Sequence, residues 1–451
     1  MFKNIKLHQT LFHLPSTDVI RRHLTVTRLV PDWSDIAGIQ LSSTETYSSS
    51  PDSTRVTTIP TTTPRKKNGQ KFYDFNGIHA KRKLTVHRAC AKTRDGYGST
   101  TKSANVDRNS LIDLRHHIVF CRVQKTGSTF LTGLLRSLIL GPTKAATGRQ
   151  TEELKTLFNL RQTGTVQESP DFSISSSFRF MFARDPYTRL LSGYVDKLFT
   201  VNTIYWKSVG AYIKNRKFKL HGELTQCGHD VTFPEFIEYV IDAENTGKHS
   251  DKHFTPIYKH CKPCQVEYDF IGKMETFKDD SMTLIKAWNR KYHANISFSD
   301  FEQETVLNRV TNHVGRLFKM KRLILKCTSF HSAMKRAWKD FQIRGFLSKN
   351  QRFPFSKKDV NSLTESQFLN VLKDILTDPS TDRKALKQQK MEALVQAYSL
   401  VPMEDLVKLR KVVRPDCQLF GYNESPSYIF DRTDESLQVD RDQYEYFNFD
   451  D

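Results

Sequence analysis

The chain has 451 residues, 38% hydrophobic and 26% charged, with a formal net charge of +20 and a pI near 9.5. That length allows one large domain or two ordinary ones, and seven cysteines are too sparse for a small disulfide scaffold. No run of about 18 apolar residues is present, so no transmembrane helix is readable, and the N-terminus lacks the apolar centre of a signal peptide.

A balance this basic favours anionic partners: nucleic acid, anionic lipid or a sulfated glycan. Residues 1–75 read as a disordered stem. Within them, 14 of the 23 residues of "SSTETYSSSPDSTRVTTIPTTTP" are Ser or Thr, a composition that buries no core and suits either an O-glycosylated stalk or a plain linker. One patterned domain is expected over 76–425, with an acidic tail over 426–451. The last 21 residues carry eight acids and two arginines and read as loose.

Inside the domain, "HIVFCRV" (117–123) has the length of a buried strand. Leu131, Leu134, Leu135, Leu138 and Ile139 follow at helical spacing. "FRFMFAR" (178–184) places Phe178, Phe180 and Phe182 on one strand face, and Leu191, Tyr194, Val195 and Leu198 mark the next helix. "TFPEFIEYVI" pairs Thr232 with Glu235 in capping-box spacing, with proline in the first turn. "EYDFIGK" (267–273) reads as a strand and "SMTLIKAW" as a helix behind it. Strand–helix alternation predicts an α/β fold with a parallel sheet flanked by helices.

The chemistry concentrates in two strand-to-helix turns. The first runs Val123, Gln124, Lys125, Thr126, Gly127, Ser128, Thr129. A helix N-terminus offers free N–H groups and partial positive charge. Gly127 allows tight backbone, Ser128 and Thr129 bring hydroxyls, and Lys125 adds a full charge. The turn suits a phosphate or sulfate, although the G-x-x-x-x-G-K-[ST] pattern is absent. The second is "ARDPYTRLLSGYVDKL". Arg184 supplies a planar fork and Ser192, eight positions on, a hydroxyl. The plainer readings are a βα turn with a surface lysine, and a local Arg184–Asp185 pair with Ser192 packing only.

These two motifs in this order resemble the 5′-phosphosulfate and 3′-phosphate loops of Golgi carbohydrate sulfotransferases. "RDPYTRLLSGYVDKL" is similar to the group acting on chondroitin, dermatan, terminal N-acetylgalactosamine and the natural-killer-cell epitope. "HAKRKLTVHRACAKT", "DKHFTPIYKHCKPCQVEYDFIGKMET" and "CQLFGYN" resemble the start, middle block and close of that domain. The turn at Gln124–Ser128 departs from the Pro-Lys-Val pattern of that group and is closer to the heparan style. The resemblance implies a P-loop-kinase-like sheet, a 3′-phosphoadenylyl sulfate donor and no metal. Sulfate would go to a hydroxyl of a glycosaminoglycan or N-acetylgalactosamine-containing glycan in the Golgi lumen. Lys125 would be catalytic, and 123–129 with Arg184 and Ser192 would hold the donor.

The resemblance makes His253 the first choice of general base, with Glu275 and Asp251 behind it. Membrane association enters only through the resemblance, and the sequence carries no oligomeric state. Cys261-x-x-Cys264 would bind zinc only with a second close pair, which is lacking; in the Golgi these cysteines would form disulfides instead. Residues 305–358 hold fourteen Lys or Arg and one acid, Asp340. They read as a docking face for an anionic glycan, ahead of nucleic acid, or as a solvated helical face. The alternatives for the whole chain are a non-catalytic glycosaminoglycan-binding relative, a heparan-type sulfotransferase, and a nucleotide kinase that would need Mg-ATP.

Overall fold

A computed structural model describes residues 77–92, 110–141, 157–159, 174, 176–217, 225–431 and 444–448. The Ser/Thr-rich stem expected over 1–75 lies outside them. The strands are β1 (Leu111–Asp113), β2 (Ile118–Cys121), β3 (Leu157–Asn159), β4 (Phe178–Ala183) and β5 (Phe270–Lys273). The helices used below are α1 (Ile78–Lys92), α2 (Ser128–Leu140), α3 (Pro186–Tyr194), α4 (Phe233–Thr246), α5 (Ile257–Cys261), α6 (Phe277–Tyr292), α7 (Phe301–Lys319), α8 (Phe330–Ile343), α9 (Arg383–Ser399) and α10 (Met403–Phe420).

The sheet order is β3-β1-β2-β4-β5. The three strands read from the sequence are parallel neighbours, with Phe120 opposite Phe180 and Phe180 opposite Phe270. Beyond these parallel strands the sheet continues antiparallel, because β1 pairs antiparallel with both β2 and β3. β1 and β3 are three residues each, too short for a period-2 pattern to stand out.

Side-chain alternation along β4 divides the core. Phe178, Phe180 and Phe182 face α2 and α6, packing with Leu131, Leu134, Leu135, Ile285 and Trp288. Phe120 and Phe180 stack with ring centroids 4.6 Å apart. Met181 and Ala183 face the other way, toward Val86 of α1, Ile257 of α5 and Leu419 of α10. The sheet is therefore covered by helices on both sides, which is why its central strands are continuously apolar.

The capping box forms as the spacing predicts. Glu235 N–H donates to the Thr232 hydroxyl and Thr232 N–H to the Glu235 carboxylate. Past Tyr194, α3 widens into a π-helical turn over Val195–Phe199, closed by Thr200 N–H donating to the Val195 carbonyl at 2.9 Å. Such wide turns recur at functional sites.

Three disulfides tie the layers together: Cys90–Cys264, Cys121–Cys261 and Cys227–Cys327. Cys261 and Cys264 thus belong to separate bridges, which removes the zinc reading of that pair. Cys417 is buried and unbridged.

Two expectations change. Parts of the acidic tail pack rather than hang loose: Ile429 and Tyr446 are buried, and the Tyr446 hydroxyl donates to Glu392. Within the basic segment, Arg309 and Arg336 are buried and Arg344 is ion-paired to Asp340 at 2.7 Å. These arginines are internal structure, and of the fourteen basic residues only Lys319, Arg322, Lys326, Arg352, Lys357 and Lys358 are fully on the surface. Among the described residues no helix is long and apolar enough to cross a membrane.

Candidate active site

The carboxyl ends of β2, β4 and β5 open into adjacent turns, the usual place for a ligand on a parallel sheet. The β2–α2 turn is buried from Val123 to Gly127, and Ser128 and Thr129 in the first turn of α2 are partly exposed. Thr126 braces the turn by donating its hydroxyl to the Val123 carbonyl at 3.0 Å. Gly127 has φ 71°, and a Cβ there would lie 2.5 Å from the Phe277 ring. Glycine is needed for both reasons. The side-chain oxygen of Gln124 is buried with no hydrogen-bond partner among the described residues.

Arg184 closes the turn from the β4 side. Its Nη1 donates to the Lys125 carbonyl at 3.1 Å and its Nε to the Thr188 hydroxyl at 3.2 Å. Thr188 and Ser192 lie four apart on one face of α3, so Arg184, Thr188 and the buried Ser192 form one polar line. Asp185 caps α3 by accepting the Thr188 N–H at 2.9 Å. Burial raises its carboxyl to about 6, with Glu275 adding to the rise. Glu275 accepts the Asp185 N–H and, on its other oxygen, the Tyr422 hydroxyl, both at 2.8 Å. It braces the two turns.

Lys125 also has a left-handed backbone, φ 69°, and is 3% exposed. Its Nζ lies 3.3 Å from Asp196 Oδ2 in the π-helical turn after α3. Lys197 Nζ reaches the same oxygen at 3.0 Å, and Arg309 Nη2 stands 4.0 Å from Oδ1. Burial alone would raise the Asp196 carboxyl, but Lys125, Lys197, Arg316 and Arg309 hold it well below the usual range.

His253 sits in the loop before α5. Its Nδ1 is 2.6 Å from Asp251 Oδ1 and 2.7 Å from the Tyr205 hydroxyl, which itself donates to Asp251 Oδ2 at 3.0 Å. With Nδ1–H given to Asp251, the lone pair falls on Nε2. Burial pushes the imidazole down to about 4, and Lys197 adds to this against the pull of Asp251. Asp251, the weaker base candidate, orients the ring instead.

Arg189 joins the β2–α2 turn to this loop. It is 2% exposed and donates to the carbonyls of Gln124 at 3.0 Å, Thr255 at 2.8 Å and Lys252 at 3.4 Å. Arg189, Asp196 and Tyr205 escape sequence reasoning. The first two stand inside the "RDPYTRLLSGYVDKL" segment, where a basic and an acidic residue on the helix after Arg184 are the available signal. A cavity of about 460 Å³ adjoins the β2–α2 turn through Phe277 and is lined further by Lys278, Arg344, Phe346 and Lys390.

The arrangement suits an anionic ligand. A cationic cluster and a helix N-terminus meet at one turn, with an Asp-oriented neutral imidazole on the loop that Arg189 ties to it.

The model described as "Sulfotransferase family" matches residues 108–339, just over half of the chain. Carbohydrate sulfotransferase 8 of Mus musculus is 27% identical over 298 residues, covering 63% of this chain and 66% of that protein. Carbohydrate sulfotransferase 14 of Mus musculus is 31% identical over 186 residues, 41% of this chain and 47% of that one. Carbohydrate sulfotransferase 12 of Xenopus laevis is 26% identical over 252 residues, 50% and 60% respectively. These matches span less than two thirds of each relative's own length. No solved structure matches. The matched span contains the turn at Lys125, the second motif from Arg184 to Asp196 and the loop at His253, and by it the chain belongs to the sulfotransferase family.

Proposed function

We propose that the protein transfers a sulfuryl group from 3′-phosphoadenylyl sulfate to a hydroxyl of a glycosaminoglycan or N-acetylgalactosamine-containing glycan. The observation that carries this reading is the hydrogen bond from Arg184 to the Lys125 carbonyl, which makes the two phosphate-type turns one site. Lys125, Ser128, Thr129 and the first N–H groups of α2 take the phosphosulfate end, and Arg184 with Ser192 takes the 3′-phosphate. The donor supplies an activated sulfuryl group whose S–O bond to the 5′-phosphate breaks as the acceptor oxygen attacks sulfur.

Negative charge then builds on the bridging oxygen, and Lys125 with the α2 N-terminus stabilises it. The acceptor proton passes to Nε2 of His253, which Asp251 keeps in the right tautomer. Adenosine 3′,5′-bisphosphate leaves. No step of this scheme requires a metal.

The Golgi lumen is the proposed compartment. Three disulfides suit an oxidising environment, and the sequon residues Asn295 and Asn423 are both exposed. The test is an acceptor screen with labelled donor across chondroitin, dermatan, heparan and simple N-acetylgalactosaminides, followed by product mapping. Transfer to one of these by the wild-type chain and none by Lys125→Ala is expected. Equal transfer by both would overturn the mechanism, and heparin retention without bisphosphate binding would favour a non-catalytic binder.

A further inference from the structure

We infer that Asp196 is a positioning residue for Lys125: it holds the ammonium of Lys125 at the place where charge develops during transfer. The inference rests on the sulfotransferase reading and adds a residue to its machinery.

Asp196 is 3% exposed and sits in the widened turn that ends α3. A regular α-helix would carry it past the donor turn at a different angle, because a π-helical turn inserts an extra residue. A buried carboxylate is costly to keep ionised unless it is paired. Lys125, Lys197 and Arg309 all converge on it. Arg309 also stands 3.8 Å from Asp340, to which Arg344 is bonded. These four cations therefore surround only two carboxylates, and the cluster stays cationic.

Lys125 enters this cluster from a left-handed backbone, which a β-carbon disfavours. Such strain persists where the surroundings over-determine it, and it gathers at functional sites. The Arg184 bond to the Lys125 carbonyl and the Asp196 pair at its Nζ act on the two ends of that one residue. An ammonium has three N–H donors. One directed at Asp196 fixes the direction of the whole group.

The same carboxylate repels the donor it prepares for. This gives a signature that a purely structural ion pair lacks: removing the charge should leave binding intact or stronger while slowing turnover. The experiment uses the full chain with Asp196→Asn and Asp196→Glu, each checked by circular dichroism and thermal melting. Adenosine 3′,5′-bisphosphate binding is measured by calorimetry, and labelled sulfate transfer at saturating donor.

Asp196→Asn is expected to bind the bisphosphate as tightly as wild type or about threefold tighter, and to lose about 10²-fold in turnover. Asp196→Glu, which keeps the charge but displaces it, should bind like wild type and turn over at least about tenfold more slowly than wild type. If Asp196→Asn does not fold, the glutamate variant decides alone by that criterion. Wild-type turnover in the variant that folds overturns the inference, and so does a parallel loss of affinity and turnover. A wild-type chain that neither binds the bisphosphate nor transfers sulfate overturns the sulfotransferase reading first.

Discussion

Nη1 of Arg184 donates to the carbonyl of Lys125 at 3.1 Å, across 59 positions of sequence. The bond locks the second motif onto the first, and the guanidinium also reaches Thr188 from Nε. A lysine at 184 has no planar fork, so its donors do not reproduce the guanidinium's geometry toward Thr188 and the Lys125 carbonyl together. Arg184→Lys should therefore fail to rescue the loss seen in Arg184→Ala. Losing a charge-assisted bond of about 2 kcal/mol weakens adenosine 3′,5′-bisphosphate binding about thirtyfold. Calorimetric titration of both variants checks this, and wild-type affinity in Arg184→Lys would remove the fork from the account.

His253 is held neutral by burial, with its imidazole lowered to about 4. A base that protonates only near pH 4 stays competent throughout the mildly acidic range. The acid limb of kcat/KM, which reports the free enzyme, should therefore fall near pH 4 and not near 6.5. A limb near 6 would point instead to Asp185, whose carboxyl is raised to about 6 by burial. Stability follows the same shift. The unfolded chain takes up the proton near the ordinary histidine value while the folded one resists it to about 4. The contribution of this residue is full above about 6.5 and is lost as pH falls through that window. His253→Gln should abolish the kinetic limb together with most of the activity.

Gly127 meets two constraints at once. Its φ of 71° is costly for any residue with a β-carbon, and that carbon would stand 2.5 Å from the Phe277 ring. Gly127→Ala combines about 1–2 kcal/mol of backbone strain with about 1–3 kcal/mol of overpacking. A melting temperature several degrees lower is expected, with bisphosphate binding weakened because the turn must shift. A trimmed partner, Gly127→Ala with Phe277→Leu, should recover part of the stability but not the part due to φ. Full recovery would place the whole effect in the clash.

Much of this site is legible in the sequence, for a physical reason. The units that hold it are local: a buried strand, a turn with glycine, lysine and hydroxyls, then an amphipathic helix. Periodicity and turn chemistry mark such units, so Lys125, Gly127 and Arg184 stand out as candidates, and the resemblance is what assigns them to one ligand. What joins the units is not local. Arg189 donates to carbonyls more than 60 positions away, and carbonyls carry no sequence signature. Asp196 meets Lys125 only because α3 widens after Tyr194, and no spacing rule announces that. The basic segment misleads for the related reason that a count of charges is blind to burial: Arg309 and Arg336 look like surface and are core.

Cys121 ends β2 just ahead of the donor turn, and Cys261 ends α5 just after the loop that carries His253. Their disulfide joins the same two segments that Arg189 ties by hydrogen bonds, and it closes a separation of 140 residues. Cross-linking so long a loop restricts the unfolded chain by up to about 5 kcal/mol in the chain-entropy account, while measured losses are about 2–5 kcal/mol. Replacing both cysteines with alanine should therefore lower the melting temperature of the oxidised protein. The bridge does not touch the proposed 3′-phosphate side, where Arg184 follows β4 and Ser192 is carried by α3. Bisphosphate affinity should thus change less than turnover, which depends on the placing of His253 against the donor turn. Measuring both in the Cys121→Ala/Cys261→Ala variant separates the two. Equal loss of affinity and turnover would show that the bridge supports the whole domain rather than the alignment of these two loops.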